Sequence, residues 1–306
     1  MKVIACTCAR SPVLVSENRG VYDQPYFVYA IEYPLLMREG TAVDLGLEGK
    51  VVVVLGAATP GNMGQAIARA FVNEGSHVMV AGRHAEPLTK LANEIGCAWQ
   101  LCDITSKADV DDLVKSTVKR FGKVDVGINT TGWGLMKPFM ETTTEDLQKM
   151  VGVQFVGPFQ FFQALIHGMT AGGSIIQITS ATAKILLDDH APYRGSKAGI
   201  DQVIRSIANE FGSKGIRANS IAPGLTDSPM AAAAYAVPAI INLFNRESPM
   251  GRTGKPEDIA AACLFVASDR CFMTGEVLQV NGGITLRRNP RQHEMTEAAM
   301  AAAARQ

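Results

Sequence analysis

The stretch Val51-Val-Val-Val-Leu55-Gly56-Ala-Ala-Thr-Pro-Gly61-Asn62-Met63-Gly64-Gln-Ala-Ile-Ala68 decides the fold. Its apolar, β-branched opening reads as a buried strand, which runs through a glycine-bearing turn into residues of helical period. Such a strand, turn and helix start presents backbone N–H groups and a helix N-terminus to a pyrophosphate. Glycine lets the chain turn tightly and lets a ligand approach the backbone. An ordinary strand-to-helix turn shows the same pattern, so the residues around this segment must decide.

From Lys50 onward, short β-branched runs alternate with longer stretches of helical period, which is the pattern of a parallel sheet covered on both faces. Strands are expected at 51–55, 77–81, 98–101, 124–128, 174–179, 217–221 and 277–280. The expected fold class is α/β: a single doubly wound (Rossmann) domain over residues 49–286, with a seven-stranded parallel sheet and helices on both faces. Residues 1–48 carry Tyr22, Tyr26, Phe27, Tyr29 and Tyr33 without a period and read as an N-terminal arm. Residues 287–306, with Arg287, Arg288 and Arg291 before an Ala-rich run, read as a tail.

After the first helix the second strand ends Val80-Ala81-Gly82-Arg83-His84, where an acidic side chain would hold the ribose 2′-hydroxyl of NAD. No acid stands there. Gly82 leaves room and Arg83 supplies a bidentate partner for a 2′-phosphate, so NADP(H) is favoured over NAD(H). A solvated charge at a helix entry is the alternative reading of Arg83.

Composition excludes several classes. The chain has 306 residues, 47% of them hydrophobic, and its 29 basic and 29 acidic residues cancel. No global field therefore draws it to nucleic acid or an anionic membrane. The six cysteines, Cys6, Cys8, Cys97, Cys102, Cys263 and Cys271, lie scattered without CxxC or His-spaced partners and read as reduced thiols. Cys6-Thr7-Cys8 lacks neighbouring ligands, so no metal is expected. Few apolar residues precede Arg10 and no long apolar run follows, so neither a secretory segment nor a membrane span is expected, and the protein is placed in the cytoplasm.

Farther along stand Ser174-Ile-Ile-Gln-Ile-Thr-Ser180 and Tyr193-Arg-Gly-Ser-Lys197. Tyr193 and Lys197 are four apart at the start of an amphipathic helix and share one face. A free tyrosine ionises at about pH 10, and a neighbouring ammonium favours the phenolate. Such a pair serves as acid or base on a substrate oxygen, which Ser180, after a buried strand, is placed to hold.

On these residues the chain resembles the short-chain dehydrogenase/reductases. The resemblance covers residues 50 to about 286 and rests on the Gly56 to Gly64 loop, Asp103, Asn129-Thr130-Thr-Gly132, Ser180, Tyr193, Lys197, Pro223-Gly224 and the Gly251 to Gly283 pattern. It implies that Tyr193 is the general acid or base, that Lys197 lowers its pKa and holds the nicotinamide ribose, and that Ser180 positions the carbonyl. Met63 and Ile104 would join the cofactor contacts, Asn129, Thr130 and Gly132 would line the cofactor cleft, Asp103 would face the adenine, and Pro223 and Gly224 would lie beside the nicotinamide. Tetramers form in this family through the helices expected here at 144–168 and 193–211, so a homo-oligomer is expected.

Two departures from the family pattern matter. Gly56 and Gly64 are two residues farther apart than usual, which makes them better cofactor contacts than Gly61. Longer loops occur in the related enoyl reductases, but those space tyrosine and lysine more widely. Gln154 stands where the family has a catalytic asparagine that holds a water in a proton relay; it either keeps that relay or is a mere helix residue. On the substrate side Trp133, Leu186, Leu225 and Met230 make an apolar wall, so the expected reaction interconverts an apolar ketone and its secondary alcohol. Reduction of a 3-oxoacyl group on a carrier protein is the alternative enzyme reading. A non-catalytic cofactor sensor is the alternative outside enzymes, and the intact Ser180, Tyr193 and Lys197 set speaks against it.

Overall fold

Seven parallel strands form one sheet in the computed structural model, which describes residues 43–304. The arm expected at residues 1–48, with Cys6 and Cys8, falls mostly outside the described residues. In chain order the elements are β1 (Val51–Leu55), α1 (Met63–Asn73), β2 (His77–Gly82), α2 (Ala85–Ile95), β3 (Ala98–Leu101), α3 (Lys107–Phe121) and β4 (Val126–Asn129). Then come α4 (Thr144–Val151), a π-helical turn (Gly152–Val156), α5 (Gly157–Gly168), β5 (Gly173–Ile178), α6 (Ala191–Phe211) and β6 (Ile216–Pro223). The chain ends with α7 (Ala232–Tyr235), α8 (Pro238–Glu247), α9 (Pro256–Ala267), β7 (Val277–Val280) and α10 (Gln292–Ala303).

The strand order β3-β2-β1-β4-β5-β6-β7 reverses direction between β1 and β4, and a sheet of this kind opens a crevice at that switch point beyond the carboxyl ends of its strands. Register aligns those ends. Leu55 pairs with Asn129, Asn129 with Gln177, and Ile178 with Ile221. Gly56, Thr130 and Gly224, directly after β1, β4 and β6, and Ser180, two residues beyond β5, therefore stand along one edge.

Alternation along β1 explains its continuous apolar run. Val53 and Leu55 pack into one core with Val110 and Leu113 of α3, Phe161 and Leu165 of α5 and Ile200 and Ile204 of α6. Val52 and Val54 pack into a second core with Ile67 and Phe71 of α1, Leu88 of α2 and Ile259 of α9. A strand buried on both faces needs apolar residues at every position. Leu47, ahead of the boundary drawn at residue 49, is 1% exposed in the second core. Residues 287–303 are no loose tail here, since α10 packs on α8.

Candidate active site

Two glycines close the loop after β1. Gly56 sits at φ +110°, a conformation open to glycine, and a Cβ there would strike Thr130 and the amide of Thr131. A Cβ on Gly64 would stand 2.7 Å from the Gly56 carbonyl and 2.9 Å from Thr130 Oγ1, so the start of α1 is pressed onto the loop. Gly61 is exposed, with nothing within 4 Å of where a Cβ would stand, and serves only the turn at φ +73°. Asn62 braces the loop from within: its side chain accepts from the Gln65 amide as N-cap and donates to the Gly56 carbonyl at 2.7 Å. Met63 begins α1 and packs its side chain on the second core, which leaves its backbone at the helix N-terminus. Gly82 has a reason beyond leaving room, because a Cβ there would lie 2.5 Å from Ala58 of the loop. Arg83 and His84 are exposed just beyond β2, without an ion pair among the described residues.

Asn129 lies beneath the crevice rather than on its wall. It is fully buried; its amide donates to Gln177 Oε1 at 2.8 Å and its oxygen accepts from the Thr131 amide and hydroxyl. It thereby fixes the loop that carries Thr130 and Gly132. Asp103 binds the Thr105 amide and hydroxyl through one oxygen and so shapes the turn after β3. Ile104 is buried with its carbonyl against Gly157.

Ser180, Tyr193 and Lys197 meet at the carboxyl edge. Lys197 is 3% exposed and donates to the Ile178 carbonyl at 2.9 Å, with its ammonium 5.6 Å from the centre of the Tyr193 ring. Burial pulls its pKa down to about 8, while the charge of Asp201 pulls it up. Burial pushes the Tyr193 phenol up to about 12, and its hydrogen bond with the Ser180 hydroxyl acts the other way. Burial and the Ser180 hydroxyl thus act on the phenol in opposite directions, with burial the larger. His190 stacks on Tyr193 at 4.3 Å between ring centres and is held by the Leu135 carbonyl. The residue before it, Asp189, has φ +57°, and its carbonyl binds the Lys137 amide.

Gln154 falls within the π-helical turn, and the cause is local. Pro158 has no N–H to give the Gln154 carbonyl four residues back, and its ring crowds that carbonyl. The helix widens there, with the Gly157 amide reaching the Gly152 carbonyl instead. The Gln154 side chain is 1% exposed and its Nε2 donates to Ser196 Oγ at 3.3 Å and to Met150 Sδ. Its Oε1 is buried without a partner and lies 3.2 Å from where a Gly132 Cβ would stand. Lys197 Nζ is 3.9 Å and Met230 Cε 3.6 Å from that same point, so Gly132 marks where three other expected site residues converge.

The residues expected on the substrate side lie on two segments. One follows Ser180, where Leu186 is exposed; the other follows Pro223 and Gly224, where Leu225 joins Ala181, Ile185 and Phe244 in a small apolar cluster. Met230 bridges back to Gly132 and Gly134, while Trp133 is half-buried under the Lys149 ammonium. A cleft runs between Gly61 and the segment carrying Asp227, Ser228 and Tyr235. The loop fits a dinucleotide in that Gly56 and Gly64, where a Cβ would strike Thr130 and the Gly56 carbonyl, let it close onto the N-terminus of α1, whose free amides suit a pyrophosphate. Cys97, Cys102 and Cys263 have thiols pushed up by burial and offer no nucleophile. Among the described residues no group of His, Cys, Asp and Glu is placed to hold a metal.

Asp201 escaped the sequence reading. One turn beyond Lys197 and 6% exposed, it accepts from Thr179 Oγ1 at 3.3 Å. The available signal was an acid four residues after Lys197 on a buried helix face.

A glycine-closed loop at the switch point of a parallel sheet, with tyrosine, lysine and serine converging beside it, defines a nucleotide-binding oxidoreductase fold. The chain belongs to the short-chain dehydrogenase/reductase family. The profile described as enoyl-(acyl carrier protein) reductase matches residues 56–285. D-threitol dehydrogenase of Mycolicibacterium smegmatis is 31% identical over 252 residues, 80% of this chain and 96% of that protein. 3beta-hydroxysteroid dehydrogenase 1 of Eggerthella lenta is 34% identical over 250 residues, 78% of this chain and 95% of that protein. The structure of a short-chain type dehydrogenase/reductase from Mycobacterium ulcerans superposes with a TM-score of 0.78 at 25% identity, covering 82% of this chain and 94% of that one. No helix among the described residues is long and apolar enough to cross a membrane.

Proposed function

We propose that the protein interconverts a ketone and a secondary alcohol on an apolar small molecule, with NADP(H) preferred over NAD(H). The meeting of Ser180, Tyr193 and Lys197 at the carboxyl edge, with Lys197 and Gln154 both close to Gly132, carries this reading. The nicotinamide, when bound, supplies or accepts the hydride. Gly56 and Gly64 admit the pyrophosphate to the backbone, and Arg83 pairs with a 2′-phosphate. Ser180 holds the substrate oxygen, and Tyr193, kept protonated, donates its proton to that oxygen as the carbonyl is reduced. Lys197 stabilises the phenolate left behind, and Gln154 Oε1 holds the water through which the proton is replaced.

The relatives act on substrates as different as a threitol and a hydroxysteroid, so the apolar assignment rests on Leu186, Leu225 and Met230 alone. Reduction of a 3-oxoacyl group on a carrier protein is the rival. Enoyl reduction is disfavoured by the four-residue spacing of Tyr193 and Lys197. A homo-oligomer in a cytoplasmic setting completes the reading, supported by the exposed Leu147, Val151, Val156 and Phe159 along α4 and α5.

The test follows NADPH and NADH oxidation with apolar ketones, 3-oxoacyl thioesters and enoyl thioesters, comparing wild type, Tyr193→Phe and Arg83→Ala. Ketone turnover that prefers NADPH, drops by roughly 10²–10⁴ in Tyr193→Phe and loses its cofactor preference in Arg83→Ala is expected. Turnover of the enoyl thioester alone, or a Tyr193→Phe enzyme as fast as wild type, overturns the reading.

A further inference from the structure

The chain does not stop where the sheet does. Beyond the last strand, residues 287–303 run between the two walls of the substrate cleft and bind both. Toward α8, Arg287 donates to the Arg246 carbonyl at 2.7 Å, and Arg288 pairs with Glu247 at 3.0 Å while also gripping Glu294 of α10. Toward the loop after Ser180, Asn289 is buried and donates to the Leu186 carbonyl at 3.0 Å, and Asp188 accepts from the Gln292 amide at 3.0 Å. Between these anchors Met295 packs into the apolar cluster formed by Ala181, the residue after Ser180, with Leu225 and Phe244.

We propose that residues 287–303 are the specificity-determining end wall of the substrate cleft: Asn289 and Asp188 fix one side, Arg287 and Arg288 the other, and Met295 sets how long a substrate can be. This rests on the reading that the cleft between these walls takes the ketone. The exposed ion pairs add little stability singly, but Asn289 is buried and its bond is made to the backbone of a wall residue, which is where position matters. An apolar pocket discriminates by the space it leaves, and one methylene is worth about 10–200-fold. Shortening Met295 therefore lengthens the preferred substrate.

Two full-length variants test this, Met295→Ala and Asn289→Ala, with a ladder of straight-chain methyl ketones, NADPH binding by fluorescence titration, and amide hydrogen exchange. Met295→Ala is expected to raise kcat/KM for ketones longer than the wild-type optimum by about tenfold relative to that optimum. Asn289→Ala is expected to flatten the ladder, and both should bind NADPH as wild type does. An unchanged ladder in both variants overturns the proposal. Should wild type turn over no ketone, the catalytic reading fails by itself and exchange decides for the wall. Faster exchange at 184–189 and 238–247 in Asn289→Ala supports the joining of the two walls, and unchanged exchange there overturns it.

Discussion

Replacing Gln154 with methionine should make the protein more stable and less active at once. Gln154 Oε1 is buried without a partner, and an unpaired buried acceptor costs about 1–3 kcal/mol. Methionine fills nearly the same volume and carries no such atom. The donor bond from Nε2 to Ser196 is lost, at about 1 kcal/mol, while Ser196 keeps its bond to the Tyr193 carbonyl at 2.9 Å. The balance is a gain of up to about 2 kcal/mol, and each kcal/mol raises Tm by about 2–4 °C in a domain of this size. Calorimetry of the two proteins without cofactor reads the stability, and NADPH oxidation with the preferred ketone reads the activity. A fall in Tm in Gln154→Met would mean that Oε1 already has a partner in the protein without cofactor, and would refute the desolvation penalty assigned to it.

Gly64→Ala places a methyl 2.7 Å from the Gly56 carbonyl, so it should cost about 1–3 kcal/mol and weaken NADPH binding; a titration matching wild type contradicts the role given to that contact. Asn129→Ala removes the bonds to Gln177 and Thr131 and should destabilise by about 2–4 kcal/mol in urea unfolding, with kcat falling as the loop above it loosens. Lys197 gives a pH signature. Its pKa is about 8 in the fold and higher when unfolded, so between those values the unfolded chain binds more protons and the fold gains stability as pH rises. Lys197→Met, which lacks that buried charge, should be the more stable protein at pH 7, with the gap narrowing from pH 8 toward pH 10; a gap independent of pH would show that the ammonium is not desolvated.

Periodicity carried most of the fold. The strand at 51–55 was placed to the residue, as were 98–101 and 277–280, because each is a short apolar run with a turn signal on either side. At 124–128 the strand starts later, at Val126: Val124 is buried apolar but lies outside the ladder, and Asp125 turns its carboxylate to the Val51 amide. Ser180, Tyr193 and Lys197 were legible because they are chemically distinctive and sit at fixed offsets. Asn129 was legible as a residue but not as a buried brace, since its partner Gln177 is 48 positions away. The binding of α10 to the substrate walls was hidden for a similar reason: an Ala-rich sequence states that a helix forms, and its exposed arginines say nothing about which carbonyl each will find.

The π-helical turn has a consequence for symmetry about the helix axis. The exposed apolar residues of α4 and α5 step from 147 to 151, then by five to 156, then to 159, while Phe155 turns inward against Gly199 of α6. One extra residue in the turn offsets the angular phase by about 100°. Wound as a regular α-helix without that widening, the same residues would turn Leu147 and Val151 away from Val156 and Phe159 and the outer stripe would split in two, whereas deleting one residue would restore regular winding and leave the stripe in phase. Pro158 therefore keeps an outward face in phase at the same point where it sets an inward amide, and a one-residue deletion within residues 152–156 would preserve the first while disturbing the second.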